Sequence, residues 1–200
     1  AIAQYWRSAY EQSAADGERS LGLLPEGSSH WFTAAASALV SCARRAELER
    51  FDRIFARVRA ARAEESAESE RLVCLCRGAF QLVFNGRFDD ADAVLREIPA
   101  AGAVDDDARL DARTKAQVHH VRGVRAAMVG DVGTFFTHLG RAVDFFERAG
   151  DRRNVLLERS TLGWCHAEVG DVETAVRLLR ENLARCVEQV GAERLCGLHD

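Results

Sequence analysis

Apolar residues recur at helical spacing along most of the chain. In the last part of the sequence they fall, mostly in steps of three and four, at Val172, Ala175, Val176, Leu179, Leu183, Val187 and Val190. Stripes of the same form cover residues 132–146, 88–98 and 48–58. Such steps place side chains on one face of a helix, and the alternation that is typical of strands is missing. The pattern predicts an almost all-α protein.

Each stripe follows a short polar turn that contains a small residue. The turns have Gly86, Gly130 and Gly170, and the first copy has Ala46 in the same place. Glycine readily adopts the left-handed backbone conformation that ends a helix. The aspartate that follows Gly130 and Gly170 is expected to cap the amino terminus of the next helix. A phosphate-binding loop would need a preceding strand and a nearby Lys or Ser/Thr. The turns therefore predict architecture rather than a ligand site.

A further helix is predicted before every turn, so the chain reads as a series of helix pairs. These units are expected over residues 28–62, 68–99, 108–149 and 152–190, with Ser28 or Ser29 capping the first helix. The whole of 1–200 is predicted to be a single helical domain. Residues 1–19 are expected to be the second helix of a preceding unit, and 191–200 the start of a further helix. The chain is thus expected to be a piece of a longer protein.

Small residues recur near the turn-facing ends of the first helices. Ala79, Gly123 and Gly163 hold this place in the last three units. A glycine inside a helix costs about 1 kcal/mol relative to alanine, so a packing reason is expected. We expect the second helix to approach closely there, with Ala91 and Ala175 as the facing small residues.

These units resemble the tetratricopeptide repeat, which combines a small residue in the first helix, a glycine turn, and alanine followed by a large apolar residue in the second. The best copy is LGWCHAEVGDVETAVRLL (162–179), and FNGRFDDADAVL (84–95) is next. The usual period is about 34 residues, so a spacing near 40 indicates a long-period bacterial variety. The resemblance implies an all-α, right-handed α–α superhelix, a solenoid of about four antiparallel helix pairs.

The resemblance also implies a concave groove lined by the first helices. On a helical wheel the side chains expected to face it are Val73, Cys76, Phe80, Gln117, His120, Val124, Leu157, Ser160 and Trp164. Similar repeats grip a peptide carboxylate with Lys, Arg and Asn, whereas apolar residues, Cys, His and Ser occupy these places here. The groove is therefore expected to be apolar and to suit an amphipathic helix or an extended apolar segment.

The expected function is a protein-interaction scaffold that binds a peptide or helix of a partner protein. Similar long-period repeats are attached to large bacterial signalling and regulatory proteins. The alternative is a regulatory sensor module that binds a small ligand or self-associates to control a linked kinase, ATPase or DNA-binding domain. A closed apolar pocket at Phe80, His120 and Trp164 would favour the sensor, and an open groove the scaffold.

Charge and composition narrow the choice of partners. The net charge of −4 gives no general attraction to nucleic acid or to anionic lipid. No apolar run approaches the roughly 20 residues of a membrane span. The six cysteines lie inside helical patterns, which predicts buried thiols in a reducing compartment. We therefore expect a cytoplasmic protein with no nucleic-acid or membrane partner.

Sequence-adjacent groups give no sign of catalysis. The candidate pairs are Cys74 with Cys76, His119 with His120, and Cys165 with His166. Neighbouring residues of a helix diverge by about 100°, so these pairs do not form metal or nucleophile–base sites by themselves. The acidic run at 105–107 is interpreted as part of an exposed connection over 101–113. The polar stretch 61–71 is interpreted as a second exposed connection. No enzymatic activity, cofactor or metal is expected.

Overall fold

The protein is described from a computed structural model over residues 3–4 and 7–196, with side chains as far as residue 188. Every regular element in this part of the chain is helical, which confirms the all-α prediction. The helices are α1 (Tyr10–Leu23), α2 (Ser29–Arg44), α3 (Leu48–Ala60), α4 (Glu68–Phe84), α5 (Phe88–Glu97), α6 (Ala101–Asp106), α7 (Ala112–Met128), α8 (Val132–Arg148), α9 (Arg152–Glu168) and α10 (Val172–Cys196), with a 3₁₀ turn at Glu65–Ala67. None of the described helices is long and apolar enough to cross a bilayer.

The helices pack as pairs, and the first members of the first three pairs lie side by side. Helix α2 pairs with α3, α4 with α5, α7 with α8, and α9 with α10. The first helices α2, α4 and α7 pack against one another in that order, while α9 packs mainly against α8. Helix α1 covers α2 from the amino-terminal side. Residues 191–196 continue α10, so the prediction of a new helix there is wrong, and 197–200 lie outside the described residues.

The predicted turn chemistry is confirmed. Gly86, Gly130 and Gly170 have φ of +73°, +76° and +86°, the left-handed conformation that glycine adopts at low cost. Ala46 holds the same conformation, with φ of +58°. The turn of the first unit therefore has the same backbone conformation as the other turns, although alanine replaces glycine in it.

Side chains also cap the helices as predicted. The backbone N–H of Thr134 donates to Asp131 Oδ1 at 3.0 Å, and the N–H of Thr174 donates to Asp171 Oδ1 at 3.2 Å. At the start of α2, Ser28 Oγ accepts from the N–H of Trp31 at 3.4 Å, so Ser28 is the cap. Each cap satisfies a donor that the first turn of a helix leaves without a partner.

Close helix approach occurs at the glycines, although the facing residues differ from those expected. A Cβ added to Gly163 would lie 2.7 Å from Leu179 Cγ, so Leu179 rather than Ala175 is the nearest neighbour. In the second unit a Cβ on Gly78 would overlap the ring of Phe55. This close approach joins α4 to α3 of the first unit, and the Ala79–Ala91 contact within the second unit stays a prediction.

One connected core runs from α1 to α7, and its largest fully buried members include Trp31, Phe32, Phe51, Leu72 and Leu75. Two smaller clusters join α8 to α7 and α9. The segment 101–113 is not the exposed connection that was predicted, because residues 101–106 form α6 and bury Val104 against this core.

Candidate functional site

An open recess crosses the side-by-side first helices. It consists of two adjoining cavities, of about 180 and 370 Å³, which share Val40, Arg77 and Arg113 in their walls. Helices α2 and α4 and the start of α7 form the first cavity, and α9 joins them at the second. We call the combined feature the first-helix recess. It occupies the face where the groove was predicted.

The walls of the recess are both apolar and strongly charged. Val73, Phe80 and Leu157 supply apolar surface. The charged residues of the walls are four arginines and four carboxylates: Arg44, Arg77, Arg113, Arg153, Glu70, Asp111, Asp151 and Glu158. The expectation of an apolar groove without arginines is therefore wrong. Arg77, Arg113 and Arg153 stand four positions from Val73, Gln117 and Leu157 and so share their helix faces, a signal that the sequence carried.

The carboxylates of the recess already have partners within the protein. Asp111 Oδ1 accepts from the N–H of Thr114 at 2.7 Å, and Asp151 Oδ1 accepts from the N–H of Asn154 at 3.2 Å. Both are helix caps, so their oxygens are partly used by the backbone. Arg113 Nε lies 3.9 Å from Asp151 Oδ2, at the limit of an ion pair.

One contact ties the third unit to the fourth at the base of the recess. His120 Nδ1 lies 2.8 Å from Glu158 Oε1, and Glu158 is only 2% exposed. The ring of His120 also stacks on Phe80, with 5.0 Å between centroids. His120 therefore contacts both α4 and α9.

The structure brings together five of the nine predicted groove residues. Those that line the recess are Val73, Phe80, Gln117, His120 and Leu157. Cys76 is 1% exposed and Val124 is also buried, so both belong to the core. The remaining two predictions, Ser160 and Trp164, concern side chains of α9.

Neither of these α9 residues lines the recess. Ser160 Oγ accepts from Asn182 Nδ2 at 2.7 Å, so it serves the α9–α10 contact. Trp164 is 62% exposed, and its Nε1 donates to Glu168 Oε1 at 2.6 Å on its own helix. A closed pocket formed by Phe80, His120 and Trp164 does not occur.

A second polar cluster lies at the junction of α6, α7 and α8. His119 Nε2 lies 2.8 Å from Asp105 Oδ1, and its Nδ1 lies 2.9 Å from His138 Nδ1. Arg141 donates to the other oxygen of Asp105, and Lys115 Nζ donates to the Asp105 carbonyl at 2.8 Å. The acidic run was expected to be solvated, but its first member is held in place by these contacts.

The environment of this cluster shifts two pKa values. Burial lowers the pKa of His138, and the neighbouring His119 and Arg122 lower it further. Burial opposes the ionisation of Asp105, but hydrogen bonds from Arg141 and His119 outweigh this effect and lower its pKa. When His138 is neutral, one of the two Nδ1 atoms can carry a proton and donate it to the other, so that both nitrogens take part in one hydrogen bond. The arrangement joins three helices through hydrogen bonds.

Three of the cysteines lie in the core, and burial shifts their pKa values. Burial raises the pKa of Cys42 to about 11 and the pKa values of Cys74 and Cys76 to about 12, so their thiols stay protonated at neutral pH. His166 Nδ1 lies 3.0 Å from Asp171 Oδ2, so this ring is committed to a cap residue rather than to Cys165. In the described part of the chain no His, Cys, Asp and Glu side chains group as metal ligands.

No protein-family model matches the chain, and no curated protein matches it either. The tetratricopeptide assignment and the right-handed superhelix therefore remain predictions.

Proposed function

We propose that the protein is an interaction scaffold that binds a segment of a partner protein in the first-helix recess, within a solenoid of the tetratricopeptide type. The observation that carries the proposal is the open recess itself, whose walls contain four arginines together with apolar side chains. Side-by-side first helices in repeat proteins form elongated binding surfaces of this kind.

The chemistry of the walls indicates the kind of segment. Val73, Phe80 and Leu157 offer surface for apolar side chains, and the arginines offer donors for carboxylates. A guanidinium has five N–H donors, so an arginine that already pairs with one neighbour can still bind a ligand oxygen. We therefore expect a segment that carries both apolar and acidic side chains.

An open recess supports this proposal over the sensor alternative. A small-ligand sensor would be expected to enclose its ligand in a pocket. The wall that Trp164 was expected to provide is missing because this side chain projects into solvent. An extended or helical segment, in contrast, needs an open surface that spans several units.

The test is a selection from a displayed peptide library against the 200-residue chain. We expect enrichment of peptides that combine apolar residues with Asp or Glu. The double variant Arg44→Ala/Arg77→Ala is expected to weaken their binding by roughly tenfold or more, since a charge-assisted hydrogen bond to the ligand is worth about 1 kcal/mol or more.

The matched control is Arg19→Ala/Arg96→Ala, which removes two exposed arginines outside the recess. Circular dichroism checks that both double variants keep their helicity. Peptides that bind wild type and the recess variant equally would place their site elsewhere and contradict the proposal, as would a selection without enrichment.

A further inference from the structure

Helix α10 carries an apolar stripe that its own chain covers only at one edge, where Leu179 lies against Gly163 of α9. Its members are 40% to 64% exposed and comprise Val172, Val176, Leu179, Leu183 and Val187. Patches of this kind on a protein surface mark interaction sites. The stripe is separate from the first-helix recess, whose walls contain no residue of α10.

The other flank of α10 is occupied by α9. Ala175 and Asn182 are buried there, and Asn182 Nδ2 donates to the carbonyl of Leu156 at 2.8 Å. The stripe lies about a quarter turn around the helix from these residues, at 100° per residue. A partner helix could therefore lie against the stripe beside α9.

The spacing of the stripe is that of a coiled-coil seam. Val172, Val176, Leu179 and Leu183 follow one another in steps of four, three and four. These steps alternate the two core positions of a heptad, which keeps the seam facing one partner helix along its length. The occupant that matches this spacing is another helix with the same repeat.

The charges beside the seam are self-complementary. Glu173 and Arg180 lie beside the seam, one heptad apart, on the side away from α9. Both line a shallow recess that also includes Val172 and Val176. Neither forms an ion pair with any side chain that the structure describes. One end of this edge is therefore acidic and the other is basic.

An antiparallel two-fold pairing uses this arrangement fully. A two-fold axis between Arg177 and Leu178 sets Val172 opposite Leu183 of the second copy and Val176 opposite its Leu179. The same axis places Glu173 and Arg180 of the second copy between the same two core layers, and the symmetry makes this contact twice. In a parallel pairing the flanking charges would meet the edge that α9 covers, where Ala175 and Asn182 lie.

We propose that the seam of α10 is a self-association surface, on which a second copy of this chain packs antiparallel with two reciprocal Glu173–Arg180 ion pairs. The partner is another α10, held by apolar contacts along the seam and oriented by the charges at its edge. The surface works independently of the first-helix recess.

The test is sedimentation of the 200-residue chain by analytical ultracentrifugation over a range of concentrations. Wild type is expected to dimerise. Glu173→Arg and Arg180→Glu each turn two ion pairs into two like-charge pairs, so each is expected to weaken the dimer by roughly tenfold or more. The double variant Glu173→Arg/Arg180→Glu restores opposite charges and is expected to return close to the wild-type affinity.

Two further variants complete the design. Leu183→Glu puts a charge into the seam and is expected to abolish dimerisation, whereas Glu188→Arg reverses an exposed charge away from the seam and is expected to leave it unchanged. All substituted positions are exposed, so folding should be preserved, and circular dichroism checks this.

Three results would overturn the proposal. The first is a wild-type chain that stays monomeric, which would leave the stripe to a further helical unit or to another protein. The second is a dimer that survives Leu183→Glu. The third is a double charge swap that binds no better than the single variants, because the charges would then not face each other.

Discussion

Helices α1–α7 and helices α8–α10 are built from similar repeating patterns but are packed differently. In the first region one connected core fills the space between neighbouring units, and its side chains are almost fully buried. In the second region the contacts fall into two small clusters, and several large apolar side chains of α9 and α10 are exposed. Similar patterns therefore produce different amounts of burial.

The difference follows from the number of neighbours that each unit has. A helix pair cannot bury its apolar stripes alone, so an internal unit is covered on both sides and an end unit on one side. The unit α4–α5 lies between two others, whereas α9–α10 has only α7 and α8 beside it among the described residues. The open side of α10 is the consequence.

The largest expected effect on stability comes from replacing leucine by alanine at one position in each region. Leu75→Ala removes a side chain that is 1% exposed and is expected to lower the free energy of unfolding by about 2–5 kcal/mol. Leu183→Ala, on the open stripe, is expected to change it by less than about 0.5 kcal/mol. Urea unfolding at a protein concentration low enough to keep the chain monomeric measures both. Similar decreases at the two sites would show that α10 is covered in solution.

A second substitution tests whether the C-terminal region unfolds locally. Gly163→Leu forces new atoms into the space held by Leu179 and is expected to cost about 1–3 kcal/mol through overpacking. Hydrogen exchange should then show reduced protection in α9 and α10, while α2 and α4 keep theirs.

The matched control for this change is Gly140→Leu, since a Cβ at Gly140 meets no atom within 4 Å. It is expected to have little effect. Reduced protection throughout the chain after Gly163→Leu would mean that the two regions unfold as one unit.

The smallest effect is expected at the junction between the regions, where His138 of α8 contacts His119 of α7. The folded-state pKa of His138 lies below the ordinary 6.5, so the unfolded chain takes up a proton first as the pH falls. This contribution to stability is complete above about pH 6.5 and is lost as the pH falls towards the folded-state pKa. Asp105 and Arg141 belong to the same junction.

Urea unfolding at about pH 7.5 and about pH 5.5 provides the measurement, because this interval spans the ordinary histidine pKa. Wild type should lose more stability on acidification than His138→Gln. The exposed His30 supplies the control, since His30→Gln should keep the wild-type pH dependence. Equal pH dependence in wild type and His138→Gln would show that the His138 ring does not titrate as its burial implies.

Local features of the fold were predictable because they depend on neighbouring residues. Gly170 ends a helix and Asp171 caps the next one within a few residues of sequence, and both roles are confirmed. Helix α6 was not predicted because it is stabilised by contacts that Val104 and Asp105 make with helices far away in the sequence. A short polar segment gives no periodic signal of such contacts.

The candidate site was predictable in position but not in chemistry. The helical wheel located Val73, Phe80 and His120 on the recess face. Arg77 lies on the same helix face, four positions after Val73, but the wheel could not show which arginines of neighbouring helices would join it at the recess. Nor could it show that Cys76 would be covered by the core, because burial depends on neighbouring helices.

The sequence by itself determined the helices of the four units, their turns and caps, and their pairing, because these follow from the spacing of apolar residues and from short-range hydrogen bonds. Only the tertiary structure decided which faces are covered, which charges meet in the first-helix recess, and that the stripe of α10 is left open. Those outcomes depend on which helices become neighbours, and this is determined by packing between residues that are far apart in the sequence.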